Sequence, residues 1–226
     1  MSEKLLTFEH IEIPDSIKEL ESVTQADGIR FYSTPSGKSY PSVTTVTGWE
    51  KKAFFAEWRK NNPEESRRVL SNGTNFHKLI EGYLGNAEHL IGTPAAPRLL
   101  FQNIKPLLHN IDKIRAQEVP LWSDTLHLAG RVDCIAEYKG KLSVIDFKSS
   151  KREKRKADID NYFAQATAYA IMWQEITGEP INQIAILISC EGGVIQEFVD
   201  KPTNHVKRLK EMIDFYWYDN SPFKSY

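Results

Sequence analysis

The chain has 226 residues, 41% of them hydrophobic, which suits one domain with a sizeable core. Its 29 basic and 30 acidic residues give a net charge of -1, so nucleic-acid binding would need a local basic patch. The only cysteines, Cys134 and Cys190, exclude a disulfide framework and a four-cysteine zinc or iron–sulfur site. No apolar run reaches the ~20 residues of a membrane helix, and the acidic N-terminus is unlike a signal or transit peptide. We therefore expect a cytoplasmic protein without a membrane anchor.

Hydrophobic spacing and turn residues predict a largely helical N-terminal half. Residues 1–22 are expected to form a loosely attached, acidic helical lead-in, and 28–34 and 38–40 a small hairpin. Ser42 is a suitable N-cap for the helix that follows. Further helices are predicted at 64–84 and 98–116, separated by a Gly/Pro-containing loop at 85–97.

The second half alternates strands and helices. Strands are predicted at 117–123, 127–138, 141–148, 182–190 and 193–199, and helices at 159–177 and 203–219. This order predicts an α/β fold whose mixed β-sheet is covered by helices on both faces. We expect a single domain over 1–226, composed of a lead-in and hairpin at 1–40, a helical part at 41–116 and an α/β core at 117–226.

The stretch GRVDCIAEYKGKLSVIDFKSS places charged residues in two strands that otherwise read as core. With a two-residue turn at 139–140, an antiparallel hairpin sets Asp133 opposite Asp146 and Arg131 opposite Lys148. Because side chains alternate along a strand, these four share one face. Two opposed carboxylates are unfavourable unless a cation or a shared proton compensates them.

Two interpretations of this cluster stay open from the residues alone. Arg131 and Lys148 could neutralise the aspartates in a structural ion network. Alternatively the carboxylates could bind a divalent cation such as Mg²⁺, which favours oxygen ligands. Lys148 would then stabilise charge on a phosphoryl transition state or polarise a water molecule.

The order Asp133, short hairpin, Asp146-Phe147-Lys148 resembles the PD-(D/E)XK nuclease superfamily. The sequence Gly130-Arg131-Val132-Asp133 is similar to the Gly-x-x-Asp form of its RecB-like branch. A histidine on an upstream helix, His77, and a Gln-x-x-x-Tyr pair on the helix after the catalytic strand, Gln165 and Tyr169, are also typical of that branch. The resemblance covers roughly residues 40–215.

That resemblance implies a site and a cofactor. Asp133, Asp146, the backbone carbonyl of Phe147 and His77 would bind Mg²⁺ or Mn²⁺, and Lys148 would be the catalytic lysine. The family hydrolyses phosphodiester bonds with metal-activated water. The absence of four cysteines argues against its iron–sulfur members.

Several other residues are candidates for substrate binding or support, each with a plainer structural alternative. Glu81 could orient His77 or pair on the surface, and Glu118 could approach the site or bind Arg131. Gln165 and Tyr169 share a helix face and could hold the lysine region and the nucleic acid. The remaining candidates are Ser42, Arg131, and Lys151 and Arg152 of the basic run 151–156.

The sequence thus predicts a metal-dependent DNase, monomeric, acting as an exonuclease on single-stranded or frayed DNA. The helical segment 43–116 is expected to arch over the site. One alternative is an endonuclease for flaps or branches on the same core, and another is a catalytically silent nucleic-acid-binding module. In the absence of a visible transit segment, a bacterial or phage origin is the expectation.

Overall fold

The structure is a computed structural model that describes residues 7–87 and 92–221. The helices are α1 (Val43–Thr47), α2 (Lys52–Asn61), α3 (Pro63–Leu84), α4 (Ala95–Leu108), α5 (Asp160–Thr177) and α6 (Val206–Asp219). The strands are β1 (Ser22–Thr24), β2 (Arg30–Ser33), β3 (Ser39–Pro41), β4 (Ile111–Ser123), β5 (Leu128–Tyr138), β6 (Lys141–Ser150), β7 (Gln183–Cys190) and β8 (Ile195–Asp200). No helix in these two ranges is long and apolar enough to cross a membrane.

The central sheet has the order β4-β5-β6-β7-β8. Its strands pair antiparallel except β6 and β7, which run parallel and are joined through α5. The predicted mixed sheet is therefore confirmed. The predicted hairpin before residue 41 is also confirmed, as β2 and β3 of a separate three-stranded sheet.

Helices cover both faces of the central sheet, as predicted. On one face Ile135, Val144 and Ile186 pack in the same core as α5, α1 and α6. On the other, Ile145 and Leu187 share a core with α3 and α4. Alternation along each strand produces this division, since neighbouring residues point to opposite faces.

Two helices of the segment predicted to form an arch, α3 and α4, form one of these two layers. Phe76 and Ile80 of α3 and Phe101 and Ile104 of α4 are fully buried against the sheet. Their spacing of three to four residues gives each helix one apolar stripe. The idea that a helix of this segment closes over the site stays a prediction.

The lead-in prediction is wrong for residues 7–22, which contain no helix. Instead the main chain near His10 pairs with the outer edge of β4, where Ile11 N–H donates to the carbonyl of Ile114 over 2.8 Å. Phe8 and Leu20 are buried. An edge strand offers free main-chain groups, and these favour an extended segment over a helix.

The helix predicted at 98–116 is too long. α4 ends at Leu108 and β4 begins at Ile111. Strand pairing of Ile111 with Tyr138 draws these residues into the sheet, so tertiary pairing overrides a spacing that also suits a helix.

The aromatic residues of α2 are not part of the core. Phe54 and Phe55 are 65% and 45% exposed, and α2 has no buried residue. Only Trp49, just before α2, is buried, with its indole N–H donating to Asp219 over 2.7 Å. The predicted helix from Ser42 is also interrupted at Gly48, where a short 3-10 turn begins.

Candidate active site

The β5–β6 hairpin has the predicted register. Tyr138 pairs with Lys141, and the pairing continues to Cys134 and Ile145. The paired register ends there, and the Asp133 carboxylate, not a main-chain carbonyl, accepts the N–H of Phe147 over 2.9 Å. The two aspartates therefore lie just beyond the point where β5 and β6 stop pairing with each other.

Asp146 is 2% exposed. One carboxylate oxygen, Oδ1, accepts from Lys148 Nζ over 2.7 Å and from Gln165 Nε2 over 3.1 Å. The other oxygen, Oδ2, is buried and has no hydrogen-bond partner among the described residues. Burial outweighs the nearby Lys148 charge and raises the pKa of Asp146 to about 6.

Lys148 contacts Asp146 and lies 5.1 Å from the centre of the Tyr162 ring. Burial opposes the ammonium charge, but Asp146 and Asp133 outweigh it and raise the pKa of Lys148 to about 12. Lys148 is therefore a cation at neutral pH, suited to stabilise negative charge. Tyr162 was missed in the sequence, although its position three residues before Gln165 puts both on one face of α5.

A second set of ligating groups lies beside Asp133. His77 Nδ1 is 3.7 Å from Asp133 Oδ2 and 3.9 Å from Glu118 Oε1. One ligand atom from each of these three residues lies within 4.8 Å of the others. Burial lowers the pKa of His77, but the carboxylates of Glu118 and Asp133 raise it more, so the net shift is upward.

Glu118 enters this set because of the β4–β5 register. Gln117 pairs with Cys134 and Val119 with Val132, which puts Glu118 level with Asp133. A two-residue turn centred at Asp124-Thr125 would instead set Glu118 opposite Arg131. The pairing of Ser123 with Leu128 leaves a four-residue turn and shifts the register by two.

Arg131 does not neutralise the aspartates. Its guanidinium donates to the backbone carbonyl of Glu118 and to the Glu19 carboxylate. The Glu118 carboxylate remains directed to His77. Of the two predicted cations, Lys148 contacts Asp146, whereas Arg131 contacts Glu118 and Glu19.

The His77–Glu118–Asp133 set and Lys148 line a cleft of about 620 Å³ between the sheet and α3. Sequence reasoning had identified five of its lining residues: His77, Glu81, Glu118, Asp133 and Lys148. It missed Arg30, Val69, Leu70, Gly73 and Thr74 as cleft residues, and Lys78 and Ser149 as well. The positions on α3 recur every three to four residues, but only the fold shows that this helix face borders the cleft.

Tyr169 packs against Gly130 at the start of the Gly-x-x-Asp stretch. A Cβ atom on Gly130 would lie 2.7 Å from the Tyr169 hydroxyl and 3.2 Å from its ring. Tyr169 is 2% exposed, so its ring has little room to move. Gly130 therefore allows the helix that carries Gln165 to approach the strand that carries Asp133.

We expect Gly130→Ala to destabilise the protein by about 1–3 kcal/mol, the usual cost of overpacking a core. Urea unfolding measures this directly. Gly192→Ala is the matched control, because a Cβ atom there meets nothing within 4 Å. Equal unfolding free energies of the two variants would show that the Tyr169 side chain can shift without destabilising the protein.

The other predicted supporting residues lie at varied distances from the cleft. Ser42 is the N-cap of α1, accepting from Thr45 N–H over 3.1 Å, and is not a cleft residue. Glu81 lines the cleft. Lys151 is 3.4 Å from Glu65, and Arg152, two residues after the end of β6, is exposed. Their roles toward substrate stay predictions.

An acidic site on adjacent strands of a mixed sheet, with a lysine two residues after the second aspartate, is the arrangement of a nuclease core. The model of the PD-(D/E)XK nuclease superfamily matches residues 51–216. The chain belongs to this superfamily, as the motif predicted.

Curated relatives agree with that placement. The chain is 33% identical over 130 residues to mitochondrial genome maintenance exonuclease 1 of Mus musculus, covering 51% of this chain and 38% of that protein. The Homo sapiens protein of the same name is 30% identical over 116 residues, covering 50% and 33%. The match therefore spans little more than a third of these relatives' length. A crystal structure from Eubacterium rectale superposes with a TM-score of 0.45 and 13% identity, covering 65% of this chain and 64% of that one.

Nucleases of this superfamily use divalent metals, and the residues here fit such an ion. The buried Oδ2 of Asp146 has no partner among the described residues, and a buried unpaired oxygen is costly unless it is compensated. Asp133, Glu118 and His77 supply three more ligand atoms close together. Carboxylates with one imidazole suit Mg²⁺ and, better, Mn²⁺.

Proposed function

We propose that this chain is a metal-dependent DNA exonuclease that hydrolyses phosphodiester bonds at single-stranded or frayed ends. The observation that carries the proposal is the buried, unpartnered Oδ2 of Asp146, whose strand pairs with the strand of Asp133, together with the His77–Glu118–Asp133 set. The names of the curated relatives support exonuclease action on DNA.

Each side chain has a distinct task in this proposal. Asp133, Asp146, Glu118 and His77 would hold Mg²⁺ or Mn²⁺, which when bound would polarise the phosphodiester and lower the pKa of a water molecule. Lys148, held by Asp146 at 2.7 Å, stabilises negative charge that develops on the phosphate. Gln165 fixes Asp146 from the side of α5.

Incubation of DNA with Mg²⁺, Mn²⁺ or EDTA tests the metal requirement. Degradation with either metal and none with EDTA is the expected result. Degradation in EDTA would exclude a metal mechanism, and intact DNA under every condition would favour a binding module that lacks activity.

An exonuclease needs a free end, so we expect linear single-stranded DNA to be degraded while covalently closed circles resist. The measurement compares equal nucleotide concentrations of both forms, and one nick in the circle restores a substrate as the control. Cleavage of intact circles at the linear rate would instead support a structure-specific endonuclease. The same assay with RNA reports sugar preference, and the order of products gives polarity.

A further inference from the structure

The cleft has two walls besides the strands that carry the two aspartates. One wall is the face of α3 that carries Leu70, Thr74, His77 and Glu81. The other contains Arg30 of β2, which belongs to the N-terminal three-stranded sheet. The match to the superfamily begins at residue 51, so Arg30 is a feature outside the matched core.

The α3 wall ends in an exposed apolar rim formed by Val69 and Leu70. These side chains are 43% and 64% exposed. Single exposed hydrophobic residues are ordinary on protein surfaces. Here the two are adjacent and line the cleft that holds the ligating groups. They lie seven and eight residues before His77, which is about 10–12 Å along the helix axis.

Arg30 is held in place by its main chain. Its carbonyl accepts from Ser42 N–H over 2.8 Å, and it pairs with Thr24 of β1. Within residues 7–87 and 92–221 its guanidinium makes no ion pair or hydrogen bond, whereas Arg68, Arg115 and Arg208 are all ion-paired. A fixed strand thus presents an uncompensated cation to the cleft.

We propose that an unpaired DNA strand enters between these walls, with its bases against the apolar rim and a backbone phosphate at Arg30. The proposal deepens the proposed function and rests on it. Phosphate favours a cation, and the rim offers the bases an apolar surface. In a duplex the bases are stacked and paired inside, so this rim contacts only an unpaired strand.

Equilibrium binding tests the base contact independently of cleavage. Fluorescence anisotropy in EDTA compares a mixed-sequence single strand with one of equal length that is abasic at the terminal positions of both ends. Leu70→Ser is expected to weaken binding of the normal strand roughly tenfold, as for loss of a partly buried leucine, and to leave the abasic strand nearly unaffected. Leu99→Ser on α4, at a similarly exposed leucine outside the cleft, is the control.

Arg30→Gln tests the phosphate contact. It is expected to weaken binding of both strands equally. It should also reduce the slope of log K against log salt concentration by about one unit. Arg98→Gln on α4, an exposed arginine outside the cleft, should leave the slope unchanged.

The outcomes separate this inference from the proposed function. An equal effect of Leu70→Ser on normal and abasic strands, or an unchanged slope in Arg30→Gln, would overturn the inference while nuclease activity could stand. Absence of metal-dependent cleavage by the wild type would overturn the proposed function. The binding differences between wild type and the Leu70→Ser and Arg30→Gln variants would still test the two walls.

Discussion

Asp146→Asn is expected to lower nuclease activity at least about a thousandfold, because a metal supplies several kcal/mol of transition-state stabilisation. The substitution keeps the size of the side chain but removes the negative charge from the unpartnered oxygen. Product release from end-labelled single-stranded DNA measures the loss. Asp214→Asn on α6, where an exposed aspartate pairs with Lys210, is the control for removal of a carboxylate elsewhere.

The same variant should lose its response to metal. At a metal concentration about 100-fold above Kd, the wild type should gain roughly 5–10 °C in Tm. Asp146→Asn should gain far less, while Asp214→Asn should match the wild type. A variant that retained a tenth of wild-type activity and the full Tm response would exclude Asp146 as a ligand.

Without metal, Asp146 should make stability fall as pH rises. Burial raises its pKa from 3.8 to about 6, so between these values the folded state binds more protons than the unfolded state. This contribution is present at low pH and is lost as the pH passes about 6. The difference in unfolding free energy between wild type and Asp146→Asn isolates it from the other carboxyl groups.

The central pattern of this site was predictable because it depends on local rules. Alternation and a two-residue turn at Lys139-Gly140 were enough to place the two aspartates at one end of the hairpin, and the register holds from Tyr138 to Cys134. Gln165 and Tyr169 were identified through the resemblance to the RecB-like branch, and helical spacing puts both on one face of the helix. Such inferences need only residues close in sequence.

Glu118 shows where local rules fail. Its position depends on whether the β4–β5 turn has two or four residues, and the turn sequence does not decide this. Left-handed conformations at Glu118 and His127, with φ of 48° and 53°, are hard to predict for residues other than glycine. A two-residue change in register moved Glu118 from Arg131 to Asp133.

The roles of Arg30 and the apolar rim could not be predicted from the sequence, for a different reason. No sequence period links β2 to α3. The two line one cleft because the small sheet packs beside the central sheet. Conversely, Phe54 and Phe55 are large apolar residues of one helix, yet α2 has no buried residue. Periodicity indicates which residues share a face but not whether another element covers it.

Lys148→Ala is the second substitution with a large expected effect, and its signature differs from that of Asp146→Asn. A single preorganised group that stabilises developing charge is worth about 10²–10³ in kcat. Lys148 has this character because its raised pKa keeps it charged and Asp146 holds it in place. We expect kcat to fall by that factor with KM little changed.

The contrast between the two variants tests the division of roles. At pH 8, well above the raised pKa of Asp146, Lys148→Ala should keep the metal-induced rise in Tm because every proposed ligand remains. Lys210→Ala, an exposed lysine on α6, controls for loss of a positive charge. Arginine at position 148 should not restore full kcat, because its planar fork does not reproduce a compact ammonium. Wild-type kcat in Lys148→Ala would exclude a catalytic role for Lys148. Loss of the metal-induced rise in Tm would mean that Lys148 also supports the metal ligands.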